Sequence, residues 1–332
     1  MARIIRRLLL LILAALITAA FFLAYSMGAP YAGFDKETFV DIPSGTSTRG
    51  IARLLEDNGA IRSQWLFLAA RAVQPRSSLK AGEYRFNAPA SAVEVLRRIA
   101  RGDIFYYELS VPEGSNQFDI AASLQQLGVM QAAEFLKVAA SPNLIRDLAP
   151  DAPSLEGFLF PAIYRVTRHT SAQQLGKEMT GRFRRAWKEL GTPAAEVTRT
   201  VTLASLVEKE TGVPADRPIV ASVFENRLGR GMTLDCDPTT IYAALLENRY
   251  RGTIYRSDLN STNPYNTYRH AGLPPGPIAN PGLAAMKAAA APAETDYLYF
   301  VAKPGGSGKH TFSSTLEQHN AAVKAYRNGD KH

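Results

Sequence analysis

The stretch FVDIPSGTSTRGIARLLEDNGAI, residues 39–61, decides the fold of this chain because the chain repeats it. The second copy, ELSVPEGSNQFDIAASLQQLGVM, occupies residues 108–130, an offset of 69 residues (108 − 39). The matching positions are Ile42 with Val111, Pro43 with Pro112, Gly45 with Gly114, Ile51 with Ile120, Ala52 with Ala121, Leu55 with Leu124 and Gly59 with Gly128. Each copy is typical of a short strand, a Pro-x-Gly turn and an amphipathic helix that ends at glycine. We interpret the two as an internal duplication.

Hydrophobic periodicity predicts an α+β protein that becomes mostly helical after the second repeat. Between the repeats it predicts helices at 62–72 and 92–101 around the extended piece LKAGEYRF. The elements predicted from about residue 151 onward are helices 172–190, 193–211, 216–228, 239–248 and 280–291, strands 296–302 and 310–313, and a final helix 314–326. Asp216 and Asp237, each followed closely by proline, are the expected N-caps of two helices. The two late strands predict a small, lone C-terminal β-hairpin.

The N-terminus predicts a transmembrane helix. Residues 8–25 are uncharged and apolar almost throughout, and at about 1.5 Å per residue they span about 27 Å, close to the hydrocarbon thickness of a bilayer. A cleaved signal peptide is the alternative, but its apolar core usually has only about 7–15 residues, and no clean A-x-A site follows here. Arg3, Arg6 and Arg7 precede the span, so the positive-inside rule predicts a cytoplasmic N-terminus and an extracytoplasmic remainder.

Composition excludes several function classes. The chain has 332 residues, 46% of them hydrophobic, which describes a folded protein of one large or two ordinary domains. The single cysteine, Cys236, rules out an intrachain disulfide and a thiolate metal site. The net charge of +8 is dispersed beyond the N-terminal arginines, so we expect no nucleic-acid partner. No nucleophile elbow, phosphate-binding loop or H-E-x-x-H motif occurs, and His310 and His319 are isolated; we therefore expect no cofactor and no metal.

The segment LASLVEKETGVP, residues 203–214, carries two glutamates that are candidates for catalysis. At about 100° per residue, Glu208 and Glu210 point about 160° apart on one helix, so they cannot form an adjacent pair. Glu208 shares its helix face with apolar residues, and partial burial favours the protonated carboxyl that a general acid needs. The carboxyls that could supply a partner are Glu156, Asp235 and Asp237. The alternative for Glu208 is a structural ion pair with one of the many arginines.

A long irregular stretch, NSTNPYNTYRHAGLPPGPIAN, follows at residues 260–280. Its polar and aromatic residues suit sugars, which have apolar faces for stacking and polar edges for hydrogen bonds. The residues in question are Asn263, Tyr265, Asn266, Tyr268 and His270. A long loop in a compact domain is more often functional than not, so this loop favours a glycan-binding surface.

Seven segments together resemble the YceG-like family of endolytic murein transglycosylases. They are LEGFLFP (155–161), LASLVEKETGVPADRPIVASVFENRL (203–228), GMTLDCDPTTIYA (231–243), NPYNTY (263–268), GLPPGPIANPG (272–282), YLYFVA (297–302) and HTFSSTLEQHN (310–320). The resemblance is ordered and covers essentially the whole chain. One departure occurs after LEG, where the family usually has an aspartate and this chain has Ala162, which leaves Glu156 as the carboxyl of that block.

The resemblance implies cleavage of nascent peptidoglycan strands between N-acetylmuramic acid and N-acetylglucosamine, without water, to leave a 1,6-anhydromuramic end. The family's catalytic glutamate falls on Glu208, which would act as acid and then as base. One carboxyl suffices because the muramic 6-hydroxyl attacks within the same sugar. The candidate substrate-binding residues are Glu156, Asn226, Tyr265, Asn266, Tyr268, His310 and Asn320, with Pro274, Pro275 and Gly276 forming the wall of the groove.

The implied organisation is a single-pass protein of the inner membrane whose partners are glycan strands, the membrane and peptidoglycan synthases. Its parts are a cytoplasmic tip and anchor (1–28), a connector (29–37), a LysM-like module (38–107), a second LysM-like repeat (108–150) and a catalytic domain (151–328). The LysM-like βα modules either bind glycan or act as a spacer. Two rival functions remain, a hydrolytic muramidase in which Glu156 or Asp237 activates water, and a non-catalytic scaffold that binds the cell wall.

Overall fold

The computed structural model describes residues 2–75 and 77–329 and divides into two compact units. The first unit runs to Tyr107 and includes Thr167–His169, and the second comprises Glu108–Val166 together with the described residues from Thr170 onward. The second repeat and the region after residue 151 therefore belong to one unit. The α+β class is confirmed, with helices dominating.

The first unit contains α1 (Ala2–Gly28), β1 (Thr38–Ile42), α2 (Thr48–Asp57), α3 (Gln64–Val73), β2 (Gly82–Phe86) and α4 (Ala92–Arg101). Strands β1 and β2 are antiparallel, with Thr38 opposite Phe86 and Ile42 opposite Gly82. Helices α2, α3 and α4 bury their apolar stripes against this pair, and Tyr84 is fully buried among them. In α1, residues 3–25 are exposed, which is compatible with a membrane anchor.

The duplication is confirmed in the backbone. The second copy consists of β3 (Tyr107–Val111) and α5 (Gln117–Gln126), continues through α6 (Ala132–Ala139) and returns to β4 (Ala162–Val166), which pairs with β3. Equivalent glycines share the left-handed conformation that disfavours a side chain, with φ 82° at Gly45 and 78° at Gly114. Ser47 and Asn116, also 69 residues apart, both cap their helices through the side chain. Whether these βααβ units are LysM-like remains a prediction.

The rest of the second unit is built around one central helix. Its elements are α7 (Ala172–Leu190), α8 (Val197–Glu210), α9 (Arg217–Gly229), α10 (Asp237–Leu246), α11 (Arg256–Leu259), α12 (Leu283–Ala290), β5 (Tyr299–Ala302), β6 (His310–Ser313) and α13 (Leu316–Gly329). Helix α8 packs against α9, α10 and α12 and is buried from Thr200 to Val207. The C-terminal end of α8, which carries Glu208 and Glu210, therefore lies where several elements meet.

Two predictions about the fold are wrong. The predicted C-terminal hairpin is present as β5 and β6, but it is not alone, because the described residues contain three two-stranded sheets, and β4 was not expected. The N-caps also differ. Asp216 is at the cap position of α9 but has helical φ and ψ, and its carboxylate accepts hydrogen bonds from His310 instead of from the helix. Asp237 is the first residue inside α10, and Cys236 is at the N-cap position of that helix.

Candidate active site

The last turn of α8 presents its two glutamates to different surroundings. Glu208 forms an ion pair with Arg217 of α9 (Nη2 to Oε1, 3.2 Å) and accepts a hydrogen bond from the backbone N–H of Gly282 (3.0 Å). Its side chain is only 6% exposed and that of Arg217 only 11%. The carboxylate of Glu208 thus joins α8 to α9 and to the residue before α12. The ion pair with an arginine that the alternative for Glu208 requires is therefore present.

Glu210 instead lines a cleft of about 510 Å³. The residues that line it are Lys209, Glu210, Phe224, Arg227, Leu234, Asp235, Cys236, Asp237, Pro238, Tyr268, Tyr299, Phe300, Leu316 and His319. Oε1 of Glu210 accepts a hydrogen bond from the Cys236 thiol (3.1 Å). Burial raises the pKa of Glu210, the nearby Asp237 raises it further, and the Cys236 bond and His310 lower it. A raised pKa means that the carboxyl holds its proton more firmly, which suits a general acid.

The other two carboxylates of the cleft are held by donors. Tyr268 donates its hydroxyl hydrogen to Oδ1 of Asp237 (2.7 Å). Asp235 has an unusual positive φ of 53° and receives a hydrogen bond from the Arg227 guanidinium (3.0 Å), which also donates to two backbone carbonyls of the same turn. Left-handed backbone costs a residue other than glycine about 1 kcal/mol or more, so the Arg227 bonds stabilise the turn that carries Asp235 into the cleft.

Glu156 is fully buried and therefore cannot reach a glycan in this conformation. Its two carboxyl oxygens accept hydrogen bonds from the backbone N–H of Gln117 (2.9 Å) and from Nδ2 of Asn280 (2.9 Å). Burial raises the pKa of Glu156 to about 8, while hydrogen bonds from Gln117 and Tyr242 lower it. Asn280 lies two residues before Gly282, so Glu156 fixes the same loop that contacts Glu208.

Most of the predicted glycan contacts lie away from the cleft or are used internally. Asn226 bonds to the carbonyls of Thr295 and Tyr297, and buried Asn266 bonds to the carbonyls of Leu259 and Ser261. These two amides hold loops in place.

The remaining predicted substrate-binding residues have varied surroundings, and one of them lines the cleft. His310 is paired with Asp216 through Nδ1 (3.0 Å), and Tyr265 packs on Tyr242 with ring centres 5.1 Å apart. Asn320 is an exposed residue of α13. Within the described part of the chain, Tyr268 is the one predicted binding residue that lines the cleft. Pro274 and Gly276 are buried, so their role in a groove wall stays a prediction.

Several important residues were missed by sequence reasoning. Arg217 and Asn280 are examples, because an arginine in a first helical turn and an asparagine before proline have ordinary explanations. Tyr242 was predicted only as part of a helix, yet its hydroxyl accepts from Gln117 Nε2 (2.9 Å), 125 residues away along the chain. Contacts of this range leave no local sequence signal. Glu210 could have been found, since the same helix geometry that separated it from Glu208 gave it a different neighbourhood.

A partly buried carboxyl of raised pKa in a polar and aromatic cleft is characteristic of enzymes that use acid–base catalysis. The chain belongs to the YceG-like family, whose model matches residues 40–325. A Bacillus subtilis (strain 168) protein named endolytic murein transglycosylase is 33% identical over 332 aligned residues, which cover 94% of this chain and 91% of that protein. A Streptococcus pneumoniae protein of the same name is 30% identical, with coverage of 88% of this chain and 59% of the longer relative. The structure of a putative YceG-like protein from Listeria monocytogenes has 32% identity and a TM-score of 0.56, and the match covers 86% of this chain and 99% of that one.

Proposed function

We propose that this protein is an endolytic murein transglycosylase that cleaves peptidoglycan strands between N-acetylmuramic acid and N-acetylglucosamine. The similarity to relatives with that name supports the reaction class. The observation that carries the residue assignment is the position of Glu210, whose carboxyl lines the cleft and has a raised pKa. Glu208 remains the residue predicted from the family resemblance, but its carboxylate is occupied by Arg217 and Gly282. We therefore assign the acid and base role to Glu210.

The chemistry needs one group that first gives and then takes a proton. Protonated Glu210 donates its proton to the glycosidic oxygen, and the bond from that oxygen to the anomeric carbon of the muramic residue breaks. The muramic 6-hydroxyl then forms a bond to the same carbon and loses its proton to the Glu210 carboxylate. The acid is thereby restored, and no water enters the product. Because the nucleophile belongs to the substrate, the intramolecular attack replaces a second catalytic carboxylate.

Asp235 and Asp237 each accept a hydrogen bond from a neighbouring side chain, which favours this reaction over hydrolysis. A hydrolase needs a carboxylate that is free to activate water on the other side of the sugar ring. Asp237 accepts a hydrogen bond from Tyr268, and Asp235 is paired with Arg227. Both therefore serve better as fixed acceptors for sugar hydroxyls than as bases, and Tyr268 and Tyr299 offer aromatic surface for the sugar faces.

Paired substitutions test the assignment. Glu210→Gln should lower the rate of anhydromuramic product formation from uncrosslinked glycan by about 100-fold to 10,000-fold, the usual contribution of general acid–base catalysis. Glu208→Gln should keep most of the activity but unfold at a lower urea concentration. Product masses are measured by mass spectrometry, and the far-UV and near-UV circular dichroism of each variant verifies folding.

The opposite pattern would return the role to Glu208, namely an inactive but stable Glu208→Gln and an active Glu210→Gln. Products that carry an added water would instead support a muramidase. The same family membership underlies our further proposals that the protein is anchored in the inner membrane, that its βα repeats either contact glycan or act as spacers, and that it works beside peptidoglycan synthases.

A further inference from the structure

We propose that the first unit docks on anionic phospholipid headgroups at the point where α1 leaves the membrane. The docking surface, called here the exit surface, consists of Arg62 and Trp65 at the start of α3 and of Arg97, Arg98 and Arg101 on α4. The inference requires that α1 crosses a bilayer, and it is independent of the catalytic assignment. Charge, position and aromatic exposure each support it.

The charge of the first unit is concentrated in one segment. Residues 62–101 contain seven arginines and one lysine but only two glutamates, Glu83 and Glu94, for a net charge of +6 (8 − 2). The preceding residues 29–61 contain three basic and five acidic residues, for a net charge of −2 (3 − 5). Each basic residue close to an anionic bilayer surface is attracted to it by about 1 kcal/mol.

The exit surface lies next to the end of α1. Both α3 and α4 pack against α1, whose last turn contributes Met27 to the packing of the unit. Tyr31, three residues after α1, forms a backbone bridge with Ala90 (3.1 Å in both directions) and lies under the Arg62 guanidinium (5.4 Å to the ring centre). Ala90 is also part of the cleft that the α4 arginines line.

That cleft has a volume of about 430 Å³ and is lined by Asn87, Ala88, Pro89, Ala90, Glu94, Arg97, Arg98 and Arg101. The cleft contains one carboxylate, that of Glu94. It accepts hydrogen bonds from the backbone N–H (2.7 Å) and the hydroxyl (2.9 Å) of Ser91, the N-cap of α4. Arg97 and Arg101 are exposed, and the pair of Arg101 with Asp103 is solvent-accessible on both sides and therefore weak. The cleft thus offers cationic groups to an anion of headgroup size.

Two exposed apolar side chains favour a membrane over a soluble anion. Trp65 is 66% exposed and Val73, at the other end of α3, is 73% exposed. Tryptophan is enriched at the membrane–water interface because its ring is apolar while its N–H needs a polar partner. A dissolved anionic polymer would use the arginines but would leave Trp65 in water. A lipid surface would engage both the arginines and Trp65. Helix α1, which packs against α3 and α4, brings the unit to such a surface.

The two tryptophans of the chain make the test direct, because Trp187 can be removed and Trp65 retained. The full chain carrying Trp187→Phe is placed in nanodiscs of phosphatidylcholine with about one third phosphatidylglycerol. We expect lipids brominated near the headgroup end of their chains to quench Trp65 emission at least about 2-fold, and dissolved acrylamide to quench it less than in detergent. Discs without phosphatidylglycerol should give markedly less lipid quenching.

Charge reversal provides the matched comparison. Arg97→Glu with Arg101→Glu should reduce the lipid quenching of Trp65 by half or more. Arg49→Glu with Arg53→Glu makes the same change of charge at two exposed arginines of α2 in the same unit, and it should leave the quenching unchanged.

Three results would overturn the proposal. One is equal Trp65 emission in brominated and ordinary discs. Another is quenching that depends neither on phosphatidylglycerol nor on Arg97 and Arg101, since the tether through α1 alone would then explain it. The third is a charge reversal that weakens binding of soluble polyphosphate while Trp65 quenching stays unchanged, which would assign the arginines to a dissolved anionic polymer.

Discussion

Glu208 and Glu210 are two positions apart in sequence, and their carboxyl groups have different partners. The Glu208 carboxylate is held by the Arg217 guanidinium and by the backbone N–H of Gly282. Burial and the nearby Asp237 carboxylate disfavour the charged form of Glu210 and raise its pKa, although the hydrogen bond from Cys236 opposes this shift. The first arrangement stabilises structure, and the second suits proton transfer.

Glu156 should make stability depend on pH. Its pKa is about 8 in the folded protein against an ordinary 4.5, so the folded state binds a proton more tightly than the unfolded chain between these values. The stabilisation is complete below about pH 4.5 and is lost as pH rises towards about 8, at no more than about 1.4 kcal/mol per pH unit. Glu156→Gln cannot titrate and should remove this dependence, as measured by urea unfolding at about pH 5, 6.5 and 8.

The wild-type and variant curves of unfolding free energy against pH should therefore converge or cross as pH rises. Glutamine also brings an N–H donor to a site that already faces donors from Gln117 and Asn280, which adds a penalty that does not vary with pH. Glu178→Gln, at an exposed glutamate of α7, is the control and should leave the slope unchanged. Parallel curves for wild type and Glu156→Gln would contradict the assignment.

At the residue scale, the sequence predicted the segment in which we propose the catalytic carboxyl, but it pointed to Glu208 where the structure favours Glu210. Helical periodicity correctly separated Glu208 from Glu210. The ion-pair partner of Glu208, Arg217, lies beyond the end of α8 marked by Gly212 and Pro214. Whether the Arg217 side chain reaches Glu208 depends on how α9 packs against α8. No pattern within α8 contains that information.

At the scale of elements, two ion pairs between α8 and α9 provide a matched test of burial. The Arg217–Glu208 pair is almost inaccessible to solvent, whereas Arg199–Glu225 has side chains 54% and 26% exposed. Arg217→Ala should lower the free energy of unfolding by about 3–5 kcal/mol because it leaves a buried carboxylate without its partner. Arg199→Ala should cost at most about 1 kcal/mol. Urea midpoints measure both, and equal losses would mean that the buried pair is not an anchor of the two helices.

The LEG turn, which leads from α6 towards β4, should be intolerant of a side chain. Gly157 has φ +86°, and a Cβ there would lie 2.4 Å from Cγ of Pro277 and 2.9 Å from Cγ1 of Val201. Gly157→Ala should cost about 3 kcal/mol from backbone strain and overlap together.

Gly191, after α7, has a similar φ of +73° but open space around it. Gly191→Ala should cost only about 1 kcal/mol, from backbone strain alone. Thermal unfolding of both variants separates strain from crowding, and similar shifts for the two would contradict the close approach of Pro277.

Local signals explain which elements could be predicted. Helix α7 begins and ends where the sequence predicts, because Ser171 caps it and Gly191 ends it in the left-handed conformation. Helix α4 is equally well marked by its capping box and by Gly102. Strand β4 was missed because its partner β3 ends 51 residues earlier, and five residues with mixed exposure give little periodic signal. The pairing depends on the path of the chain between them.

At the scale of the whole molecule, the apolar N-terminal helix predicts that the second unit lies on the far side of the membrane from the arginines at positions 3, 6 and 7. A single-cysteine background already exists for testing this, because Cys236 is the one cysteine and is buried. Burial raises the pKa of the Cys236 thiol well above its ordinary range, and Glu210 raises it further. A buried thiol that stays protonated reacts poorly with maleimides.

Ser307→Cys places a reactive thiol in the exposed turn between β5 and β6. A membrane-impermeant maleimide should label this variant in right-side-out vesicles and leave it unlabelled in inverted ones, since the turn follows α1 in the chain. The parent protein should stay unlabelled in both until urea exposes Cys236, which confirms that the signal comes from position 307. Labelling of Ser307→Cys only in inverted vesicles would reverse the topology, and release of the protein from washed membranes would indicate that the helix is removed as a signal peptide.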